Sequence, residues 1–377
     1  MKRIVGLFPG LLGVGGVQGV GRQTAIALDQ IATRHGWVTK FLSLNDAAGL
    51  HLLKSGDQQI AFAGFGRAKL RFASVTIRES RRHGRILLAA HPYLALPAML
   101  MKLISPEIKT IVMSHGVEVW QRLPLLRRRA LLHANVLLAP SRYTANKLST
   151  AQGVPVERIH RLPWPLDPAF LLMSNSVGAL PAPRGFPDGK IVLTVGRWAA
   201  DERYKGTDEL IRAIAKLRST IPDLHLIAVG GGDDLPRLRL LANQLGAGNS
   251  VHFFGGLSRE EIAGCYARAS VFALPSTGEG FGLVFLEAMA FGTAIVAAAT
   301  GGTTDLVEHE VNGLLVPPHD PQRLADAIAR LLRDDSLRLE LGRRGAEIVR
   351  EKYQFDAFQS ELERVLVECG LAEQAMA

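Results

Sequence analysis

Two glutamates, Glu279 and Glu287, have seven residues between them, and Gly280-Phe281-Gly282-Leu283 follows directly on the first. Glycines just ahead of a helix let a ligand come close to the backbone, and the free amides of a first helical turn favour an anion. Glu287 is the only charged residue in the apolar run Leu283 to Phe291, where a carboxylate needs a hydrogen-bonding partner. The stretch therefore offers two acids around an anion site, or else a plain strand–loop–helix whose Glu287 meets a neighbouring arginine. A second candidate anion site is Gly196-Arg197 with Lys205-Gly206. Arginine forks onto phosphate oxygens and lysine adds a compact charge, so the pair suits a diphosphate, unless both are simply solvated surface cations. His115, in Ser114-His115-Gly116-Val117-Glu118, and the glycine-rich run Gly13 to Gly19 complete the set. The run lacks the G-x-G-x-x-G spacing of dinucleotide-binding turns and is equally compatible with a tight strand-to-helix turn.

The elements that must hold these residues follow an alternating strand and helix rhythm, which implies parallel sheets covered on both faces. In the first half the pattern predicts strands at Lys2 to Leu7, Val38 to Leu44, Ile60 to Phe62, Ile86 to Ala90, Thr110 to Met113 and Val136 to Ala139. Helices are predicted at Val20 to His35 and Leu70 to His83. A Pro/Gly/Ser-rich segment at 174–189 breaks the rhythm, as a linker does. The pattern restarts with strands at Lys190 to Val195, Leu224 to Val229, Val251 to Phe254, Ser270 to Pro275, Ala294 to Ala298 and Gly313 to Val316. Helices are expected between them and at Pro321 to Arg333 and Leu337 to Lys352. Phe355, Phe358, Leu362, Val365 and Cys369 fall on one face of a last helix, which must pack on something. His115 then lies at the carboxyl end of a strand, where open α/β sheets bind ligands.

The stretch from Ser270 to Thr293, with Glu279-Gly280-Phe281-Gly282 leading to Glu287, resembles the E-x7-E signature of the retaining GT-B glycosyltransferases of family 4. The resemblance covers nearly the whole chain, with dense motifs in the second half and sparser ones in the first. It implies two facing Rossmann-like domains with a cleft between them. The expected layout is an acceptor-binding domain at 1–170, a linker at 171–189 and a nucleotide-sugar-binding domain at 190–350. The helix at 355–369 would pack back on the first domain. In such a protein Glu279 and the amides of Gly280, Phe281, Gly282 and Leu283 hold the donor sugar and diphosphate, and Glu287 binds the ribose hydroxyls. Arg197 and Lys205 match the G-R…K-G element that neutralises the leaving diphosphate, although the loop from Trp198 to Tyr204 is long. Gly15 and Gly16 match the G-G-x-x loop that caps the donor phosphate, and His115 the histidine that contacts the donor sugar, with Glu118 closing the H-G-x-[DE] motif.

Composition bounds the rest. The 377 residues are 47% apolar and 21% charged, enough for two cores and against extensive disorder. The two cysteines, Cys265 and Cys369, make neither a disulfide framework nor a metal site, which fits a reducing cytoplasm. The N-terminal apolar stretch, broken by Pro9 and glycines, is a strand and loop rather than a signal peptide, and Ile86 to Ser105 a strand and helix rather than a membrane span. No D-x-D triplet or His/Cys cluster is present, so neither metal nor cofactor is expected.

The net charge of +9 divides into +15 for residues 1–170 and −6 for the remainder. Basic residues at 67–85 (Arg67, Lys69, Arg71, Arg78, Arg81, Arg82, Arg85) are interleaved with Leu70, Phe72, Val75 and Ile77. Arg122 and Arg127 to Arg129 flank Leu123, Leu125 and Leu126. This pattern suits an anionic membrane surface or a solvated helix face, and no nucleic-acid-binding motif accompanies it. The resemblance to family 4 implies a metal-independent, retaining hexosyltransferase using a UDP- or GDP-hexose. Its saccharide acceptor would be linked to a polyprenyl diphosphate or another lipid carrier, with the protein peripheral on the cytoplasmic membrane and engaged in polysaccharide or glycolipid biosynthesis. The alternatives are a nucleotide-sugar epimerase, a transferase with a soluble sugar acceptor, a nicotinamide oxidoreductase and a non-catalytic carbohydrate-binding relative.

Overall fold

The computed structural model describes residues 2–55 and 58–370. The chain forms two compact units, one running to Pro165 and resuming at Phe355, the other spanning Leu166 to Gln354. The segment 171–189, expected as a linker, lies inside the second unit, where its start belongs to a helix at Pro168–Ser174.

The first unit carries strands β1 (Arg3–Phe8), β2 (Val38–Ser43), β3 (Gly49–Ser55), β4 (Gln58–Gly64), β5 (Gly84–Ala89), β6 (Lys109–Met113), β7 (Val136–Ala139) and β8 (Ile159–Arg161). They form one sheet in the order β3-β4-β2-β1-β5-β6-β7-β8. All neighbours are parallel except β3 and β4, an antiparallel edge hairpin. The helices are α1 (Gly16–Arg34), α2 (Lys69–His83), α3 (Ala95–Ile104), α4 (Leu125–His133) and α5 (Arg142–Gln152).

The second unit carries α6 (Pro168–Ser174), β9 (Lys190–Val195), α7 (Thr207–Leu217), β10 (Leu224–Val229), α8 (Leu235–Gln244), β11 (Val251–Phe254) and α9 (Arg259–Arg268). It continues with β12 (Val271–Leu274), α10 (Leu283–Ala290), β13 (Ala294–Ala298), β14 (Gly313–Val316), α11 (Pro321–Arg333) and α12 (Asp335–Lys352). Its sheet, β11-β10-β9-β12-β13-β14, is parallel throughout.

Parallel strands buried on both faces must be apolar at nearly every position rather than alternately. Val271 to Leu274 and Ala294 to Ala298 are accordingly buried throughout. The core of the second unit packs Leu210, Ile214, Leu226, Val296, Leu324 and Ile328 between sheet and helices. Each fully buried aliphatic side chain contributes about 1.5–3 kcal/mol. Strand order reverses at β1/β5 in the first sheet and at β9/β12 in the second, and ligands of open α/β sheets bind beyond the carboxyl ends at such points.

The last helix, α13 (Phe355–Glu368), returns to the first unit and packs on α1. Glu363 anchors it, 2.5 Å from Arg34 Nη2 and 2.7 Å from His35 Nε2.

Candidate active site

In the second unit β9 delivers Gly196 and Arg197 at its carboxyl end. The long connection to α7 does not carry Lys205 away, because Ala200–Lys205 winds into a short 3-10 helix and Gly206, in left-handed backbone, turns into α7. Lys205 Nζ comes 3.3 Å from where a Cβ on Gly196 would sit, so the glycine leaves the room that the lysine occupies. Glu202 joins the two cations: Oε1 pairs with Arg197 Nη2, and Oε2 lies 3.1 Å from Lys205 Nζ. The β10–α8 turn braces this loop. Trp198 N–H donates to Gly231 O at 2.9 Å, and Ala200 N–H donates to Asp233 Oδ1 at 2.9 Å. Asp234 pairs with Arg237 at 2.5 Å and with Arg203 at 3.5 Å. Asp233 and Asp234 are thus supports of the cationic loop.

The β12–α10 loop lies against the same element. Thr277 N–H donates to Tyr204 O at 2.8 Å, and the Tyr204 ring fills the space that a side chain at Gly278 would need. Glu279 is half-buried. Burial pushes its carboxyl above the usual range and nearby Glu202 pushes the same way, while Lys205 and the Ser276 hydroxyl pull it back. Gly302 N–H donates to Glu279 O at 2.7 Å, and a Cβ on Gly302 would lie 2.1 Å from Gly280 O. Only glycine allows that approach. Gly282, at φ 94°, opens α10, and among the described residues no side chain caps this end. Phe281 is buried against Tyr353, with ring centroids 5.9 Å apart, so only its backbone can serve a ligand.

Glu287, on α10, accepts a hydrogen bond from Tyr266 Oη at 2.7 Å. Its direct partner is a tyrosine rather than an arginine. Arg259 acts on it electrostatically while pairing with Asp167 at 2.6 Å. Burial raises the Glu287 carboxyl to about 7, with the Tyr266 bond and Arg259 opposing the rise.

In the first unit, the exposed loop carrying Gly15 and Gly16 leads into α1. Arg22 Nη1 donates to Leu11 O and Gly13 O at 3.0 and 2.8 Å, and Asp46 accepts from Leu11 N–H at 2.7 Å. Gln18 lies over Gly15, which has φ 139°. His115 follows β6 and Nε2 donates to Ala90 O at 2.8 Å, which leaves Nδ1 as the acceptor in the neutral ring. Burial lowers its pKa, so the ring stays neutral near pH 7. Glu118 accepts from the His115 backbone N–H at 2.5 Å and so shapes the loop. His91, beyond β5, stacks on His115 with centroids 5.6 Å apart. Its Nδ1 accepts from Tyr93 N–H at 3.3 Å, and burial with the neighbouring His115 lowers its pKa to about 4.

Two family models match this chain, "Glycosyl transferases group 1" over residues 180–348 and "Glycosyltransferase Family 4" over residues 29–170. A GDP-mannose-dependent alpha-(1-6)-phosphatidylinositol monomannoside mannosyltransferase of Mycobacterium tuberculosis is 32% identical over 266 residues, covering 67% of this chain and 68% of that protein. The chain belongs to glycosyltransferase family 4. A D-inositol 3-phosphate glycosyltransferase of Corynebacterium jeikeium is 42% identical over 160 residues, 41% of this chain and 38% of its own length. Among solved structures, Anabaena HepE in complex with UDP has a TM-score of 0.77 at 19% identity, covering 98% of this chain and 100% of that one. Sucrose-phosphate synthase from Thermosynechococcus elongatus has a TM-score of 0.78 at 24% identity, with coverage of 98% and 99%. These structures establish the fold as GT-B.

Within the second unit, this family 4 chain brings Arg197, Lys205 and Glu279 together where two loops meet, with Glu287 on the helix that follows. Gly15, Gly16 and His115 belong to the first unit, where His115 is joined by His91 and Trp164 rather than by the glycine loop's own partners. Glu202, Tyr266, Arg259 and His91 join these sites although the sequence does not single them out as candidates. Glu202 had a signal in being three residues before Lys205, a spacing that aligns side chains in a helical turn. Tyr266 had none, because it meets Glu287 through tertiary packing.

Proposed function

We propose that this protein transfers a hexosyl group from a UDP- or GDP-sugar to an acceptor, with retention at the anomeric carbon and without a metal ion. The observation that carries this reading is the meeting of Arg197, Lys205 and Glu279 at the carboxyl ends of β9 and β12, beside the start of α10. Arg197, Lys205 and the amides from Gly280 to Leu283 take the diphosphate, Glu287 the ribose and Glu279 the hexose. His115 and the Gly15–Gly16 turn serve the sugar and acceptor. The bond from the anomeric carbon to the β-phosphate oxygen breaks while the acceptor oxygen bonds on the same face. Its proton passes to the departing diphosphate, so no side chain acts as base. Positioning and charge stabilisation supply the rate.

The acceptor in this reading carries a lipid. The M. tuberculosis relative is a phosphatidylinositol monomannoside mannosyltransferase, so its acceptor carries a lipid. On α2 the apolar residues between the cations mostly turn inward, Phe72 into the core with Val75 and Ile77 against it, which leaves Leu70 exposed. The α4 region differs, since Leu125 and Leu126 are exposed beside Arg122, Arg127 and Arg129. Arg128 is committed to the fold, its Nε donating to Gln152 O at 2.6 Å, and the Arg82 side chain lies outside the described residues. Among the described residues no helix is long and apolar enough to cross a membrane.

The test is a panel of UDP- and GDP-hexoses scored for nucleoside diphosphate release with lipid-linked and soluble acceptors, followed by NMR of the product anomer. Activity is expected to survive EDTA. Loss on chelation restored by magnesium or manganese overturns the metal-free assignment. An inverted anomer overturns retention, and an isomerised sugar nucleotide formed without acceptor supports an epimerase.

A further inference from the structure

Glu202 is a carboxylate set between the two cations assigned to the diphosphate. It sits where the 3-10 segment kinks, at φ −112° and ψ 27°, and its side chain is 13% exposed. One oxygen pairs with Arg197 and the other lies 3.1 Å from Lys205 Nζ. Arg197, at 66% side-chain exposure, is held chiefly by this contact. A carboxylate bridging two cations presents one anionic oxygen to each, as adjacent phosphate groups of a diphosphate would. Glu279 stands close enough for its carboxyl to feel both Glu202 and Lys205. A diphosphate entering here adds negative charge beside two carboxylates, and withdrawal of Glu202 both lowers that repulsion and frees the cations.

We propose that Glu202 is an internal counter-anion, which occupies Arg197 and Lys205 in the absence of a diphosphate and is displaced when one binds. The idea rests on the assignment of those two cations to the donor diphosphate. A competing internal contact lowers apparent affinity by the fraction of molecules in which the site is taken. Glu202 therefore weakens the hold on donor and nucleoside diphosphate product alike, which speeds product release. It also keeps two mutually repelling cations aligned between turnovers. Glu202 is a positioning residue that acts through Arg197 and Lys205, and it bears on phosphates rather than on the base or ribose.

The experiment measures binding of UDP, GDP and the corresponding nucleosides by calorimetry to the full-length protein and its variants. Glu202→Gln keeps the shape and removes the charge. It should tighten the preferred nucleoside diphosphate about tenfold, the size of one hydrogen bond to a charged group. Nucleoside binding should not change, and product inhibition should strengthen in parallel. Asp201→Asn removes a neighbouring exposed charge that forms no ion pair with either cation and acts on Arg197 only through space, so its effect should stay within about twofold, as for a screened surface charge. Glu202→Asp, too short to span both cations, should fall between wild type and Glu202→Gln and stands in if the glutamine variant misfolds. Unchanged or weaker diphosphate binding in the folded Glu202 variants overturns the proposal. So does equal tightening by Asp201→Asn, which would show a general charge effect. Lys205→Ala and Arg197→Ala separate the two levels. If they weaken diphosphate binding while the Glu202 variants do not tighten it, the diphosphate assignment stands and the counter-anion role falls. If they leave it unchanged, the assignment itself fails.

Discussion

The two units share an architecture and treat charge in opposite ways. The first unit carries a net charge of +12, yet its candidate site centres on His91 and His115, both held neutral. The rest of the chain is net negative, yet places Arg197 and Lys205 together at one strand end. Net charge acts diffusely and steers a protein toward extended anionic surfaces, whereas a bound phosphate needs particular donors at fixed distances. The first unit has the field, and the second has the paired cations.

The sharpest way to break that comparison is to remove the cations. Arg197→Ala combined with Lys205→Ala should lower turnover by about a thousandfold, as for loss of groups that stabilise developing charge, and should remove measurable nucleoside diphosphate binding. His115→Ala should lower turnover while leaving nucleoside diphosphate affinity at the wild-type level in calorimetry. A large loss of that affinity in His115→Ala would place a phosphate contact in the first unit and erase the contrast.

Glu287 is the next test. Glu287→Ala should weaken nucleoside diphosphate binding by about 10–100-fold, the loss of a hydrogen bond to a charged group. The pH dependence has a definite sign. The carboxyl stands at about 7 against an ordinary 4.5, so below neutrality it is increasingly protonated and a poorer acceptor for the ribose hydroxyls it is proposed to bind. The wild-type advantage over Glu287→Gln should shrink as pH falls from 8 to 6. Comparing the two proteins at each pH cancels the titration of the phosphate itself. Stability runs the other way: a raised folded-state carboxyl pKa stabilises at low pH, and that contribution is lost as pH rises from 4.5 through 7. Glu287→Gln should therefore raise the Tm more at pH 8 than at pH 5. Equal gains would show that Glu287 is not raised.

Much of the second unit was legible because its chemistry is local. Strands Lys190–Val195, Leu224–Val229, Val251–Phe254, Ala294–Ala298 and Gly313–Val316 fall on the expected residues, being buried apolar runs with turn residues at their ends. The Glu279 loop and α10 form one contiguous stretch, so spacing alone places them. The first unit was harder. The hairpin strand Gly49–Ser55 was not foreseen, because an edge strand carrying His51 and Lys54, with Leu50 and Leu52 exposed, lacks a clean alternation. The short β8 was missed for lack of length. His91 gained a role only when β5 and β6 came to lie side by side, bringing its ring onto His115.

Tyr266 sharpens the picture of Glu287 with a smaller effect. Tyr266→Phe keeps the buried ring and deletes the hydroxyl bonded to Glu287. The carboxyl loses a donor that favours its charged form, and its pKa should rise further. Nucleoside diphosphate affinity should fall about tenfold at pH 7, again one charged hydrogen bond, and recover by pH 8.5 as the carboxylate reforms. A loss that persists unchanged at pH 8.5 would mean that Tyr266 supports α10 mechanically rather than through the carboxyl.

The smallest expected effect tests whether the first unit's field acts on a membrane. Arg129 on α4 is exposed, close in sequence to the exposed Leu125 and Leu126. A cation near an anionic bilayer is worth about 1 kcal/mol, so Arg129→Gln should lower the partition coefficient on phosphatidylglycerol-rich vesicles about fivefold. Added salt should weaken wild-type binding, because screening shortens the reach of each charge. Arg333 at the end of α11, in the net-negative second unit, is exposed as well, and Arg333→Gln should leave partitioning unchanged. Co-sedimentation at low salt separates the outcomes. Equal losses in both variants would mean that only total charge matters, and no sedimentation of the wild type would favour a soluble acceptor. A loss confined to Arg129→Gln would locate the membrane contact at α4, since α2 turns most of its apolar residues inward.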